Sequence, residues 1–133
     1  MNKNGVKYIS ITYERIKNME KNVKVSMLCQ IYGKLLTEKQ YEVLNDYYNN
    51  DLSLSEIAEN NNITRQAVRD VIKKGENKLF EFEEKLSIME KTLKTEKQIQ
   101  NILSQLTEIE TTYSNKQISK ILEHIRKELK VLA

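Results

Sequence analysis

The chain has 133 residues, of which 39% are hydrophobic and 31% charged, and it contains three glycines, one cysteine and no proline. This length suits one domain, or one domain with an appendage, and argues against large multi-step catalysis. The composition favours an all-helical protein over one built from strands, and it excludes both a disulfide framework and a disordered chain.

The formal net charge of +3 is distributed unevenly along the chain. Residues 1–18 carry four basic and one acidic residue, residues 19–93 carry eleven and thirteen, and residues 94–133 carry seven and five. Strong nonspecific DNA-binding domains are usually basic throughout. Any nucleic-acid contact in the middle of this chain must therefore come from a local basic face.

Residues 1–18 are predicted to form a weakly ordered tail, or an extension that precedes an alternative start at Met19. The first helix is expected from Lys21 to Lys34, with Gly33 near its end. In this helix Cys29 shares an apolar face with Val25, Leu28 and Tyr32, which indicates a packed core cysteine rather than a reactive thiol.

A second helix is expected to open with a capping box formed by Thr37 and Gln40. Its apolar face continues through Leu44, Tyr47 and Tyr48. We interpret these tyrosines as core residues rather than as a platform for stacking bases. Two asparagines and an aspartate at residues 49–51 end the helix.

Residues 52–73 have the spacing of a helix-turn-helix, with the motif proper at 53–73. Ser53 is predicted to cap the first helix, with Glu56 three residues later reaching back to complete a capping box. Asn62 lies in the turn, where a residue must tolerate positive φ. Thr64 is predicted to cap the second helix.

The second helix of the motif has an apolar face and an opposite polar face. Arginine can pair with guanine and glutamine with adenine, while lysine contacts phosphate. Asp70 lies among these side chains and opposes such contacts. The alternative interpretation is a helical hairpin with a merely solvated polar face. The candidate nucleic-acid-binding residues are Thr64, Arg65, Gln66, Arg69 and Lys73.

Apolar residues continue beyond the motif at alternating spacings of three and four, which predicts a recognition helix extended from Thr64 to Leu93. Its length would be about 45 Å. A break is expected near Lys94, since Thr95 and Gln98 have the spacing of a capping box. The stripe consists of Val68, Ile72, Gly75, Leu79, Phe82, Leu86, Met89 and Leu93.

Two further apolar stripes, separated by a capping box at Ser114 and Gln117, predict a helical hairpin over residues 95–133. The sequence thus predicts an all-α fold with two parts, a helix-turn-helix domain at 19–94 and this C-terminal helical pair. The apolar surface of so small a chain also raises a homodimer as an expectation.

No motif for catalysis or for metal and cofactor binding occurs in the chain. It has no glycine-rich phosphate loop, no CxxC pair and no cluster of histidines with carboxylates. His124 is alone in its helix and is interpreted as a surface or boundary residue. No run of apolar residues is long enough to span a bilayer or to serve as a signal peptide. We therefore expect a cytoplasmic, non-enzymatic protein with no cofactor and no membrane contact.

Residues 36–79 resemble the DNA-reading fourth region of bacterial sigma factors. The similarity lies in Leu-Thr-Glu-Lys-Gln at 36–40, Leu-Ser-Leu-Ser-Glu-Ile-Ala at 52–58 and Ile-Thr-Arg-Gln-Ala-Val at 63–68. The second sigma domain is missing, so a complete sigma factor is excluded. The resemblance implies a sigma region-four-like helix-turn-helix used for another purpose.

A closer resemblance is to the YlxM family of small helix-turn-helix proteins. It is carried by residues 53–58 and 63–68 and by Phe-Glu-Glu-Lys-Leu at 82–86, and it extends from Met19 onward. Genes of this family commonly lie beside those for components of the signal recognition particle. The resemblance thus implies a regulatory protein of co-translational targeting, with the particle's RNA or its GTPase as partner. The alternatives are a sequence-specific DNA-binding transcription regulator and a protein-docking module without nucleic-acid contact.

Overall fold

The computed structural model describes residues 19–113 and 115–132, and these ranges contain six α-helices and no strand. The all-α prediction, with a helix-turn-helix, an extended second motif helix and a C-terminal helical pair, is confirmed. The predicted tail at residues 1–18 lies outside the described residues. The helices are α1 (Lys21–Tyr32), α2 (Glu38–Tyr48), α3 (Leu54–Asn61), α4 (Arg65–Leu86), α5 (Ile88–Thr112) and α6 (Lys116–Leu132).

The chain divides into two compact units, Met1–Glu90 and Lys91–Ala133, so the division falls inside α5. The domain boundary expected at residue 94 stays a prediction. In the first unit α4 packs against each of α1, α2 and α3, and their apolar faces form one core. The largest fully buried side chains of this unit are Tyr32, Leu28, Leu44, Ile57, Leu79, Met89, Val25, Val43 and Val68.

Capping boxes begin α2 and α3, as predicted. Oγ1 of Thr37 accepts a hydrogen bond of 3.3 Å from the Gln40 backbone N–H. Oγ of Ser53 accepts one of 3.2 Å from the Glu56 N–H, and Oε2 of Glu56 accepts one of 2.8 Å from the Ser53 N–H. These bonds satisfy donors that a helix start leaves without intrahelical partners.

The end of α1 differs from the prediction. The α-helix stops at Tyr32, and a 3₁₀ turn over Gly33–Leu35 leads into α2. Gly33 has a φ of −55°, so a left-handed helix end does not explain the glycine. A β-carbon there would lie 2.6 Å from Cε2 of Tyr41, and glycine therefore allows this ring to approach the backbone.

The predicted break near Lys94 is wrong. The helix after the turn ends at Leu86, Ser87 adopts a left-handed conformation with φ of 52°, and α5 runs without interruption through residue 94. Thr95 caps nothing, because its hydroxyl donates a hydrogen bond of 2.9 Å to the Lys91 carbonyl inside α5. The apolar stripe concealed the true break because its spacing continues across Ser87.

A carboxylate from α4 caps the start of α5. Oε2 of Glu83 accepts a hydrogen bond of 3.1 Å from the Met89 N–H, and Oε1 accepts one of 3.0 Å from the Glu90 N–H. The Tyr32 hydroxyl accepts one of 3.1 Å from the Ile88 N–H. These groups satisfy the first donors of α5 and so stabilise the bend at Ser87.

In the second unit Arg126 of α6 contacts Glu110 of α5 through a hydrogen-bonded ion pair of 2.6 Å. This pair lowers the pKa of the Glu110 carboxyl. Oδ1 of Asn115 accepts a hydrogen bond of 2.9 Å from the Gln117 N–H at the start of α6. Ser114, the predicted cap, lies outside the described residues.

Candidate nucleic-acid interface

The turn between α3 and α4 has the geometry that its sequence predicts. Asn62 is left-handed, with φ of 52° and ψ of 42°. The Ile63 N–H donates a hydrogen bond of 3.0 Å to the carbonyl of Ala58, whose side chain is buried. Oγ1 of Thr64 accepts one of 3.0 Å from the Ala67 N–H and caps α4. Local hydrogen bonds therefore fix where α4 begins and how it leaves the turn.

Burial of one face of α4 leaves the opposite face in solvent. Val68, Ile72 and Leu79 lie in the core of the first unit. All five predicted binding residues are exposed, and Thr64 differs from the others because its hydroxyl also serves as the cap. We define the α4 face as Arg65, Gln66, Arg69 and Lys73.

The cations of the α4 face are not neutralised within residues 19–113 and 115–132. In these ranges no carboxylate lies within 4.0 Å of Arg65, Arg69 or Lys73. Gln66 is engaged, since its Nε2 donates a hydrogen bond of 3.2 Å to Oδ1 of Asp70. The face thus offers three cations to an anionic partner. Asp70 would repel such a partner, and it also occupies the Gln66 amide, the group able to form hydrogen bonds with a base.

Sequence reasoning missed a polar cluster beside this face. Glu76 of α4 is only 9% exposed and forms an ion pair of 2.8 Å with Nζ of Lys21. Its Oε1 accepts a short hydrogen bond from the Tyr48 hydroxyl. Burial and this bond raise the pKa of Tyr48. The available signal was a glutamate within the apolar stripe of α4, where an unpaired charge would be costly.

The interpretation of Tyr47 as a core residue is wrong. Leu44 is fully buried and Tyr48 half-buried, but Tyr47 is 38% exposed. Both tyrosines lie in the last turn of α2, but the hydroxyl of Tyr48 is held by Glu76 whereas the ring of Tyr47 remains in solvent. Tyr47 packs edge-to-face against Tyr48, with the ring centroids 4.9 Å apart.

Cys29 lies in the core and His124 on the surface, in agreement with the sequence analysis. Cys29 is buried, and burial together with the nearby Glu76 charge raises the pKa of its thiol to about 11. His124 is exposed on α6. In the described part of the chain, no three histidine, cysteine or acidic residues group to hold a metal ion. Within the same ranges, no helix has both the length and the apolar character to cross a bilayer.

Comparison with known proteins gives a family and close relatives. A family model, UPF0122, described as "Putative helix-turn-helix protein, YlxM / p13 like", matches residues 19–125. A UPF0122 protein of Clostridium botulinum is 48% identical over 90 residues, covering 68% of this chain and 83% of the relative. A UPF0122 protein of Fusobacterium nucleatum is 38% identical over 107 residues, covering 80% and 97%. A third, of Malacoplasma penetrans, is 50% identical over 100 residues, covering 70% and 94%.

Proposed function

Because the chain belongs to the UPF0122 family of YlxM / p13-like helix-turn-helix proteins, we propose that it is a non-enzymatic regulatory protein that binds nucleic acid through the α4 face. The observation that carries this proposal is the set of three exposed cations, Arg65, Arg69 and Lys73, on a helix with a fixed start. In this proposal Thr64, which caps that helix, lies beside the bound nucleic acid at the N-terminal end of α4. Such a helix presents its cations without further folding.

The finer proposal is that the protein acts with the signal recognition particle in the cytoplasm. Its support is the family resemblance. The particle's RNA is then the nucleic-acid partner, and its signal-sequence-binding GTPase is a second candidate partner. Duplex RNA has a deep, narrow major groove that side chains do not read. The α4 face would therefore contact phosphates and unpaired parts of the RNA.

A second candidate function is a sequence-specific transcription regulator. It is favoured by the position of Arg65 and Gln66 in the first turn of α4, because recognition helices contact base edges with their N-terminal residues. Arginine can pair with guanine and glutamine with adenine in the major groove of DNA. A homodimer of such a reader predicts half-sites about one helical turn apart.

Dimerisation through the long helices is part of the proposal. Its support is the apolar surface that α5 and α6 leave in solvent, where Ile102 and Ile109 are 40% and 41% exposed and Ile121 is 60% exposed. Sedimentation of the purified protein over a range of concentrations tests this point. A mass that stays at one chain contradicts it.

The test of the main proposal is a parallel titration of the protein with signal recognition particle RNA and mixed-sequence duplex DNA at several salt concentrations. The variant carries Arg65→Glu and Arg69→Glu. The control carries Lys120→Glu and Lys130→Glu, which make the same charge change at exposed lysines of α6. Phosphate contacts release counterions, so lost contacts reduce both the affinity and its salt dependence.

We expect the α4 variant alone to lose binding. RNA preference that disappears in this variant supports the particle, whereas duplex DNA preference that disappears supports the transcription regulator. Equal binding by the variant and the control rejects the α4 face. If the unmodified protein binds neither nucleic acid, the protein-docking alternative replaces the proposal.

A further inference from the structure

A groove of about 520 Å³ lies beside the α4 face. It forms where a stripe of α4 meets the first turn of α1 and the last turn of α2. Sites for small organic ligands have volumes of roughly 300 to 1,000 Å³. The groove is therefore large enough for a single nucleotide. Its lining includes Lys21, Asn22, Tyr47, Arg69, Lys73 and Asn77.

The charge of the lining favours an anion. Lys21, Arg69 and Lys73 contribute three positive charges, and Glu76 contributes the one carboxylate of the lining. That carboxylate already forms an ion pair with Lys21 and accepts a hydrogen bond from Tyr48, so its charge is largely compensated within the protein. Arg69 and Lys73 contact no acidic group among the residues that the structure describes. Two cations thus remain to bind a phosphate.

The groove also contains an aromatic ring that a base can reach. Tyr47 lines it and is 38% exposed. The neighbouring Tyr48 supports this ring in an edge-to-face contact, with an angle of 88° between the ring planes. The hydroxyl of Tyr48 is held by Glu76. A ring supported in this way is already positioned for stacking, so little conformational entropy is lost when a base binds.

The start of α1 lies at the edge of the groove. Lys21 and Asn22 are the first two residues of α1, and both line the groove. Glu20, the preceding residue, makes no side-chain capping hydrogen bond. The first N–H groups of a helix lack intrahelical acceptors and favour negative charge. The partial positive charge of this helix start adds to the attraction of the cationic side chains for an anion, but it would not define a site without those side chains.

We propose that this groove binds one unpaired nucleotide, with its base stacked on Tyr47 and its phosphate bound by Lys73 and Arg69. The inference rests on the proposed function, since the same nucleic acid continues across the α4 face. A base inside a duplex is stacked between its neighbours and cannot enter the groove. The groove therefore gives the protein a preference for loops, bulges and single strands over blunt duplex.

The test measures binding of a short single-stranded RNA, a single-stranded DNA of the same sequence and a blunt duplex DNA, using the full chain. Tyr47→Ala removes the ring and Tyr47→Phe retains it. Tyr113→Ala is the control, because Tyr113 is 60% exposed and lies outside the groove. We expect Tyr47→Ala to weaken single-strand binding by about 5-fold to 100-fold, and Tyr47→Phe to restore most of it.

Crosslinking provides a second readout that does not depend on the stability of a variant. A photoreactive uridine in the same single-stranded RNA should crosslink to Tyr47 of the unmodified protein, as identified by mass spectrometry of the peptide. Equal affinities of Tyr47→Ala and Tyr113→Ala, or a crosslink confined to other residues, would overturn the inference. An equal loss for single strand and blunt duplex would also overturn it.

The inference and the proposed function can fail separately. Arg65 belongs to the α4 face but does not line the groove. If Arg65→Glu weakens nucleic-acid binding while Tyr47→Ala has no effect, the α4 face stands and the groove is rejected. If only Tyr47→Ala weakens binding, the groove stands and the assignment of Arg65 to the interface is rejected.

Discussion

A β-carbon at Gly75 would lie 2.6 Å from Cδ1 of Leu44 and 3.2 Å from its Cγ, so α4 and α2 approach more closely than other residues would allow. Glycine inside a helix usually costs about 1 kcal/mol relative to alanine. At this position the buried Leu44 would have to move within the core, and overpacking costs about 1 to 3 kcal/mol. We expect Gly75→Ala to lower the free energy of unfolding by about 1 kcal/mol, measured by urea denaturation.

Gly33→Ala is the matched control for that prediction. The added β-carbon would meet the Tyr41 ring at the same distance of 2.6 Å, but this ring is 42% exposed and can swing outward. We expect a smaller loss of stability at Gly33 than at Gly75. If the two variants are equally stable, the buried Leu44 side chain moves aside as easily as the exposed Tyr41 ring, and the argument from close packing fails.

The Tyr32 hydroxyl connects three elements, and its removal should be measurable. It donates a hydrogen bond of 2.6 Å to Oε2 of Glu83 and accepts one from the Ile88 N–H. Tyr32→Phe keeps the ring beside Phe82 but leaves that N–H without its acceptor. We expect a loss of about 1 to 2 kcal/mol in the free energy of unfolding. Tyr113→Phe, at an exposed ring, should change it by less than about 0.5 kcal/mol.

Glu83→Gln extends the same test to the cap of α5. The carboxylate accepts hydrogen bonds from the Tyr32 hydroxyl and from the Met89 and Glu90 N–H groups. An amide has one acceptor oxygen in place of two and carries no charge, so we expect a larger loss than for Tyr32→Phe, about 2 to 3 kcal/mol. Circular dichroism during urea denaturation measures both variants. A loss smaller than that of Tyr32→Phe would mean that the two backbone contacts contribute little.

Asp70 should weaken nucleic-acid binding in the unmodified protein. It places a negative charge within the α4 face and holds the amide of Gln66. Asp70→Asn removes the repulsion of phosphate, and we expect affinity to rise by about 3-fold to 10-fold, equivalent to roughly 1 kcal/mol. Glu84→Gln removes the same charge from an exposed position near the other end of α4 and should have little effect. Equal gains in both variants would indicate a general charge effect rather than a local one.

Alkaline pH should destabilise the first unit through Cys29. The folded protein raises the pKa of this thiol from its ordinary 9.0 to about 11, chiefly by burial. Below pH 9 the thiol is neutral in both states and its contribution to stability is complete. As the pH rises from about 9 to about 11, the unfolded chain loses its proton first, and that contribution is lost.

The measurement is the free energy of unfolding as a function of pH under reducing conditions. Above pH 9 the unmodified protein should lose stability more steeply than Cys29→Ala, whatever the offset between the two curves. The pKa of Tyr48 is also raised, by burial and by its hydrogen bond to Glu76, so a further decline is expected above pH 10. Parallel curves for the protein and Cys29→Ala would contradict the assigned burial of the thiol.

Local sequence signals predicted the starts of α2, α3 and α4 correctly. The caps at Thr37, Ser53 and Thr64 each join atoms within three residues of one another. The left-handed turn at Asn62 likewise depends on a residue type and its immediate neighbours. Such contacts can be read from spacing alone, because no distant element has to be placed first. The exposure of the α4 face could likewise be predicted, because the apolar residues of α4 recur at helical spacing on its opposite side.

The break at Ser87 could not be read in this way. Its cap is the side chain of Glu83, which lies before the break in the preceding helix, and the arrangement also needs Tyr32 from α1. Serine has no special preference for positive φ, so the residue itself gave no signal. Thr95 carried the expected capping pattern but lies inside a helix. The contacts of Glu83 and Tyr32 with the start of α5 thus place the break at Ser87, although the capping pattern favoured a break near Thr95.

The charge counted along the sequence also differs from the charge that a ligand meets. Residues 19–93 are acidic by two charges. Two of these carboxylates, Glu76 and Glu83, are engaged with Lys21, with tyrosine hydroxyls and with the start of α5. The α4 face is therefore more attractive to phosphate than the count suggests. The role of this face, like that of the groove, stays a prediction.

The contact between Tyr32 and Glu83 spans 51 positions of the chain. Translation produces α1 first and the end of α4 much later. The Tyr32 hydroxyl can donate its hydrogen bond to Glu83 only after that later segment has been made. A nascent chain that stops before residue 65 has α1, α2 and α3 but lacks α4, the element that packs against all three. α4 is thus also the segment whose emergence from the ribosome supplies the common packing partner of α1, α2 and α3.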